Sequence, residues 1–212
     1  MPKVVDHEKV RIELVEAAAR VIARVGPDRA SIRLIAAECG RSPAAPLHYF
    51  GNRENLFEFA FKHFSDRSIA ELSRIIEKPG DMHERMERVV ECLLDRSAGD
   101  IFFARSIIAM VMGSSDNAAI KRIDVETYTE TTRLVQEAFV SAQLVGVVPS
   151  GLDPDAEAAL LVSIADGLLV AAITMGDEAL RVKERLKPTL LKRWGIEGAS
   201  GPRPRAKKSS RS

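Results

Sequence analysis

Apolar positions recur along almost the whole chain at the spacing of an α-helix. Val10, Leu14, Ala17, Val21 and Val25 follow one another at steps of four, three, four and four, and the run stops at Gly26-Pro27. Met82, Met86, Val89 and Leu93 repeat the pattern after Lys78-Pro79-Gly80. Alternating β-branched runs between turn dipeptides are missing, so the pattern predicts an all-α protein. Punctuation divides it into about nine helices, near residues 7–25, 31–39, 43–50, 53–77, 81–98, 100–112, 117–145, 154–175 and 177–194. The first three are short and closely spaced, and the others are longer and more apolar. That contrast predicts a three-helix N-terminal domain over 1–52 and a helical-bundle domain over 53–197. The tail over 198–212, rich in Gly, Pro, Ser and bases, reads as disordered.

The 154–175 segment is apolar all round. From Ala158 to Gly176 its only charge is Asp166. Such a helix either spans a membrane or is buried on every face. Asp166 at its centre, dilution by Ala and Gly and the lack of an aromatic belt favour burial, with one face inward and one against a second subunit. Leu161, Ala165 and Leu169 repeat at steps of four and lie on nearly one face. The last helix carries the stripe Ala179, Val182, Leu186, Leu190 and Trp194 among charged residues, and Pro188 is expected to kink it. Leu161, Ala165, Leu169, Val182, Leu186, Leu190 and Trp194 are therefore the candidate dimer interface.

Residues 31–53 carry the strongest local signal. Ser31 is a good N-cap, and Leu34, Ile35 and Ala36 form a short apolar patch. Gly40 ends that helix, and Ser42-Pro43 restarts at once, with Ser42 as N-cap and Pro43 at the first helical position. Gly51-Asn52 closes the second helix and caps the third. Two short helices across a Gly-containing turn fit a helix-turn-helix, although an ordinary helical hairpin has the same punctuation. The first turn of the second helix, Pro43-Ala44-Ala45-Pro46, offers almost no side chain. A core helix would waste burial that way, whereas a helix entering a DNA major groove can use small residues to bring its backbone close. Pro46 removes the intrahelical bond to the Ser42 carbonyl. His48, Tyr49 and Arg53 stand at the far end and can bond phosphate oxygens.

Charge alters this picture little. The 212 residues are 46% hydrophobic and 29% charged, with a net charge of +1. Five bases lie in the tail, leaving 26 bases against 30 acids before it, so nucleic-acid binding must rest on local placement. Two cysteines, Cys39 and Cys92, are too few for a disulfide framework and read as reduced thiols of a cytoplasmic protein. No apolar stretch follows Lys3, so no secretory signal is expected.

The segment 8–56 resembles the DNA-binding domain of the tetracycline-repressor (TetR) family. The matching pattern is Ala17-Ala18, Gly26, Ser31-Ile32-Arg33-Leu34-Ile35-Ala36, Gly40, Ser42, Ala44, His48-Tyr49-Phe50, Asn52-Arg53-Glu54 and Leu56. Gly146-Val147-Val148-Pro149 and Ala165-Asp166-Gly167-Leu168 further resemble the C-terminal domain of the betaine-synthesis repressor (BetI) type. The resemblance implies that 31–39 supports, 43–50 is the recognition helix and 53–77 links to a regulatory domain. It implies a ligand-responsive repressor that binds a palindromic double-stranded operator as a homodimer, through a four-helix bundle of the last two helices. The DNA-facing set is Ser31, Arg33, Arg41, Ser42, Pro43, Ala44, Ala45, His48, Tyr49, Asn52 and Arg53. Arg41 replaces a small aliphatic residue, leaving it as a phosphate contact or a solvent-facing side chain. Leu47 stands where the family often has a phosphate-binding Tyr, and so drops that contact.

The resemblance also implies a cavity for a small apolar or amphipathic effector. Its candidate lining is Phe57, Phe61, Phe64, Met86, Val89, Leu93, Phe103, Ile107, Met110, Tyr128, Thr132, Val135 and Asp166. For each of these residues a filled core is an equal reading, and satisfied structural hydrogen bonds explain the polar ones as well. There is no Gly-rich phosphate loop, nucleophile elbow or zinc-protease pair. His7, His48, His63 and His83 lack metal-ligand spacing, so no metal, cofactor, catalytic set or membrane partner is expected.

Overall fold

The computed structural model describes residues 6–99, 108–109 and 117–196, with side chains described only to residue 95 in the first stretch. Among the described residues there are eight helices and no strand. They are α1 (His7–Val25), α2 (Ile32–Glu38), α3 (Ala44–Phe50), α4 (Arg53–Glu77), α5 (Met82–Gly99), α6 (Ala118–Leu144), α7 (Pro154–Met175) and α8 (Asp177–Arg193). The expected 100–112 helix lies outside the described residues except for Ile108-Ala109, which are helical. The 198–212 tail lies outside them too.

The helices start where side chains can take up free N–H groups. Asp6, Ser31, Asn52, Asn117 and Asp153 each accept from a first-turn amide of the following helix. Gly40 (φ 66°) and Gly51 (φ 78°) turn the chain in the left-handed region that a Cβ disfavours.

Two apolar cores result. The first joins the α1 stripe (Val10, Leu14, Ala17, Val21) to Ile35, Phe50, Leu56, Phe57, Ala60, Phe61 and Phe64, and is closed by Ile120 and Ile123 of α6. The second joins Leu72 of α4 to the inner faces of α5, α6, α7 and α8. Helix α4 therefore belongs to both cores, its first half to one and its second half to the other.

The second core corrects the expected interface. Leu161, Leu190 and Trp194 are buried inside the subunit's own core, and Val182 and Leu186 pack partly against it. Trp194 is held there by its polar handle. Its indole Nε1 donates to Glu157 Oε2 at 2.8 Å, and its ring meets Phe139 edge-on with centroids 5.0 Å apart. Glu157 is itself buried and receives both Nε and Nη2 of Arg193, at 2.9 and 2.6 Å. Arg193, then Trp194, hold the Glu157 carboxyl below its ordinary range against the opposing effect of burial. Further along α8, Lys187 pairs with Glu91 and Glu87, and Lys183 with Asp95, so α8 is strapped along α5. The helix runs through Pro188 to Arg193 without interruption.

By length and composition, α7 could cross a membrane. Its Ala158, Leu161, Val162, Ala165, Leu168 and Ala172 instead face the core. The opposite stripe, Leu160, Ser163, Gly167, Val170 and Thr174, is exposed, with Leu160 37% and Val170 45% accessible.

Candidate functional site

The helix-turn-helix is held from behind by groups that local sequence reading passed over. Pro46 and Phe50 are the buried residues of α3. Phe50 meets Phe59 of α4 at 5.4 Å, and the Arg11 guanidinium lies over both rings, 4.5 Å from Phe59 and 5.3 Å from Phe50. Glu38 at the end of α2 takes Arg20 and Arg24 of α1, at 3.1 and 2.9 Å. Arg41 in the turn pairs with Glu13 of α1. It ties the turn to α1, and its guanidinium holds the Glu13 carboxyl below the usual range. The signal for these pairs is charge on α1 facing α2, which appears only once the two helices are packed.

The entry to α3 also differs from expectation. Ser42 is not its N-cap. Pro43 occupies the cap position in helical conformation with no side-chain bond, and the helix begins at Ala44. The reason is Pro46. Lacking an N–H, it cannot reach the Ser42 carbonyl, which accepts from Ala45 N instead at 3.0 Å. The ring of Pro46 is buried, so the residue that weakens the first turn also anchors it.

The outer face is open. Ser42, Pro43, Ala44, Leu47 and His48 are exposed, and Ala45 and Tyr49 half-buried. Leu47, 48% accessible, and Leu34, 43% accessible, are apolar groups left facing outward. Arg33 is exposed on α2. Ser31 and Asn52 are spent as caps, accepting from Leu34 N at 3.3 Å and Asn55 N at 2.7 Å. Tyr49 shares a 3.0 Å hydrogen bond with His7 Nδ1. Arg53 donates to the Asp28 carbonyl at 3.3 Å, pairs with Glu54 at 3.2 Å and lies over Phe57.

A cavity of about 280 Å³ opens between α4, α6 and α7. Of the expected lining it contains Phe61, Tyr128 and Asp166. Ala165 and Leu169, expected at the dimer interface, line it as well. Phe57 and Phe64 belong instead to the first core, and Met86, Val89, Leu93 and Val135 to the second, because their stripes face neighbouring helices with no space between. Thr132 bonds back to the Tyr128 carbonyl at 2.8 Å and is not in the lining. Phe103, Ile107 and Met110 lie outside the described residues.

The polar lining is what the sequence did not single out: Ser65, Ser68, Asp124, Thr127 and Thr131. Burial pushes the Asp124 carboxyl up. Thr131 is 1% accessible, and its hydroxyl has no hydrogen-bond partner. Among the described residues no group of three His, Cys, Asp or Glu side chains is placed to hold a metal ion.

Residues 14–60 match the family model for bacterial regulatory proteins of the tetR family, and residues 82–187 match that for the C-terminal domain of BetI-type transcriptional repressors. The chain is 28% identical over 205 residues to the HTH-type transcriptional regulator PksA of Bacillus subtilis, covering 90% of this chain and 91% of that one. It is 32% identical over 90 residues to the regulator BetI of Brucella canis, covering 42% of this chain and 46% of that protein. Among solved structures, a transcriptional regulator from Saccharomonospora viridis in complex with choline superposes with a TM-score of 0.76 at 21% identity, covering 87% of this chain and 96% of that one.

Proposed function

Because the chain belongs to the TetR family of bacterial transcriptional regulators, we propose that it is a repressor that binds a palindromic operator as a homodimer and leaves it when a small molecule enters the α4–α6–α7 cavity. The observation that carries this reading is the span of α4. One 25-residue helix begins directly behind the exposed face of α3 and continues past the cavity, packing into both cores on the way. A ligand that favours one placement of α4 therefore changes the placement of α3. It can do so only to the extent that it binds one state better than the other.

The dimer face in this reading is the exposed stripe of α7, not the buried Leu161, Leu190 and Trp194. A stripe of Leu160 and Val170 among the small residues Ser163, Gly167 and Thr174, left open on the most apolar helix, is what a second subunit would cover. At the DNA, the Pro43–Ala45 turn enters the major groove. Ala44 and Leu47 present methyl groups suited to thymine rather than hydrogen bonds to base edges. Arg53, Tyr49 and His48 then meet phosphates, with Arg53 and Tyr49 exchanging their present partners for the backbone. The site of action is the cytoplasm, where the DNA is.

Gel-shift titration against the DNA upstream of the protein's own reading frame tests this directly. Arg53→Ala should weaken all sequences alike and lower the slope of log affinity against log salt by about 0.9 for each phosphate lost. A variant that relaxes sequence preference while keeping the slope would remove Arg53 from the phosphate-binding role.

A further inference from the structure

Helices α1 and α3 meet at the outer edge of the helix-turn-helix unit through two ring side chains. His7 is the first residue of α1, and Tyr49 stands near the end of α3, 42 residues later. His7 Nδ1 and the Tyr49 hydroxyl share a 3.0 Å hydrogen bond, with their ring centroids 5.8 Å apart. His48 also meets the Tyr49 ring, edge-on at 5.1 Å. His7 and His48 are exposed and Tyr49 is half-buried. The other ties from α1, Arg41 to Glu13 and Arg11 over Phe50, close on protein groups. The His7–Tyr49 pair differs, because Nε2 of His7 has no partner among the described residues.

Protons decide what this pair can offer. A neutral imidazole carries one N–H and a phenol one O–H, and the bond between the two rings uses one of them. Where Nε2 holds the ring proton, Tyr49 must donate to Nδ1 and has nothing left to donate elsewhere. Where Nδ1 holds it, Nε2 is a bare acceptor, which repels an anion. A protonated His7 removes the conflict. Its Nδ1–H donates to the phenol oxygen, and both Nε2–H and the Tyr49 O–H are then free to donate, beside a positive charge.

We propose that His7 and Tyr49 form one phosphate clamp bridging α1 and α3, and that the clamp closes on the DNA backbone by taking up a proton at His7. The partner exchange at Tyr49 then consists of its proton turning from Nδ1 to a phosphate oxygen while Nδ1–H turns to the phenol. Helix α1 thereby joins a DNA-facing surface that the sequence placed within 31–53. The surrounding charges suit this. Helix α3 carries no carboxylate, and its titratable groups are His48 and Tyr49. Beside His7 stand Asp6, whose carboxylate accepts from the Lys9 amide, and Glu8, Lys9 and Arg11. Because phosphate favours the charged ring, affinity is gained as pH falls through the range near about 6.5 where imidazoles titrate, and lost as pH rises through it.

The clamp rests on the reading that the far end of α3 meets phosphates, and one experiment separates the two. It is fluorescence anisotropy of a labelled duplex from upstream of the reading frame, bound by the full-length protein over a salt series at about pH 6 and about pH 8. Wild type should bind about threefold tighter or more at the lower pH, with a slope of log affinity against log salt steeper by about 0.9 per subunit. His7→Gln keeps a hydrogen-bonding side chain but cannot take up the proton. It should match wild type within about twofold at the higher pH and lose most of the gain in acid. Tyr49→Phe should reduce that gain in part, and His48→Gln should leave the share due to His7 in place. Circular dichroism must show native helix in each variant. A gain that survives His7→Gln, or that Tyr49→Phe leaves whole, overturns the clamp. So does an equal loss at both pH values in His7→Gln, which is what a purely structural tie between α1 and α3 would give. Arg53→Ala tests the other reading in the same assay. A slope it leaves unchanged, with the gain due to His7 intact, supports the clamp and overturns the Arg53 contact, whereas no duplex binding at either pH overturns both.

Discussion

The helix-turn-helix unit and the α4–α6–α7 cavity treat most of their polar groups differently. Around α1–α3, charged and hydroxyl groups at the junctions are used inside the protein. Glu13 holds Arg41, Glu38 holds Arg20 and Arg24, and Ser31 and Asn52 close helix ends. Around the cavity, a hydroxyl is buried without a bond and a carboxyl is desolvated without a counter-charge. The first region is not wholly satisfied, since Nε of Arg11 and of Arg41 is buried without a hydrogen bond, but both guanidinium groups have partners there, Arg41 in Glu13 and Arg11 in the Phe50 and Phe59 rings.

The largest effect should come from the exposed stripe of α7, which neither region uses. If the α7 stripe meets a second subunit, Val170→Glu places a charge in an apolar seam. A cost of about 4 kcal/mol would weaken dimerisation roughly a thousandfold. Sedimentation should then show a folded monomer with lost operator binding. A folded dimer would move the interface elsewhere.

Glu157→Ala is next, and it probes a buried carboxylate that, unlike Asp124, has its partners. It leaves the buried indole N–H of Trp194 unbonded, which should cost about 1–3 kcal/mol in urea unfolding. Arg193→Ala should cost less, because the indole bond survives. The pH dependence has a definite sign. A carboxyl whose folded pKa is depressed contributes stability above its unfolded value near 4.3, and that contribution is lost as pH falls through the lower folded value. The wild-type advantage over Glu157→Ala should therefore be flat near neutrality and shrink in acid.

Two smaller substitutions set the regions directly against each other. Ser31→Ala removes a used hydroxyl and should cost about 1 kcal/mol. Thr131→Val removes an unused one, keeps the shape, and should leave thermal stability unchanged or raised. Loss of stability on Thr131→Val would mean that the hydroxyl is satisfied after all, and the contrast between the regions would lapse.

The sequence carried the helices well, because periodicity and caps are local. The starts and stops of α1, α4 and α7 coincide with Asp6, Gly26-Pro27, Asn52 and Asp153-Pro154. It carried the recognition unit through turn chemistry at Gly40 and Gly51 and through the bare first turn of α3. What it could not carry was the choice of face. Leu161 and Leu160 are adjacent on an apolar helix, and only the position of α5 and α8 decides which of them is buried. Trp194 read as an interface anchor because nothing in its stripe points to Glu157, 37 residues earlier. The cavity lining escaped for the same reason. Apolar residues drew the eye, whereas Asp124 and Thr131 look like ordinary members of a polar helix until α4 and α7 close over them.

The double membership of α4 has a mechanical corollary. From Ser65 at the cavity wall to Arg53 behind α3 is about 18 Å of helix axis. Pivoting that rod by about 10° at the cavity would carry its far end about 3 Å. In the symmetric dimer proposed above the displacement would double, to about 6 Å between recognition helices that would have to sit one helical turn, about 34 Å, apart on DNA. The helix would act as a lever with two arms of equal length about Ser65, one of them ending behind α3. In the proposed dimer, an occupant that tilted this rod by such an angle would put two reading heads out of step with the groove.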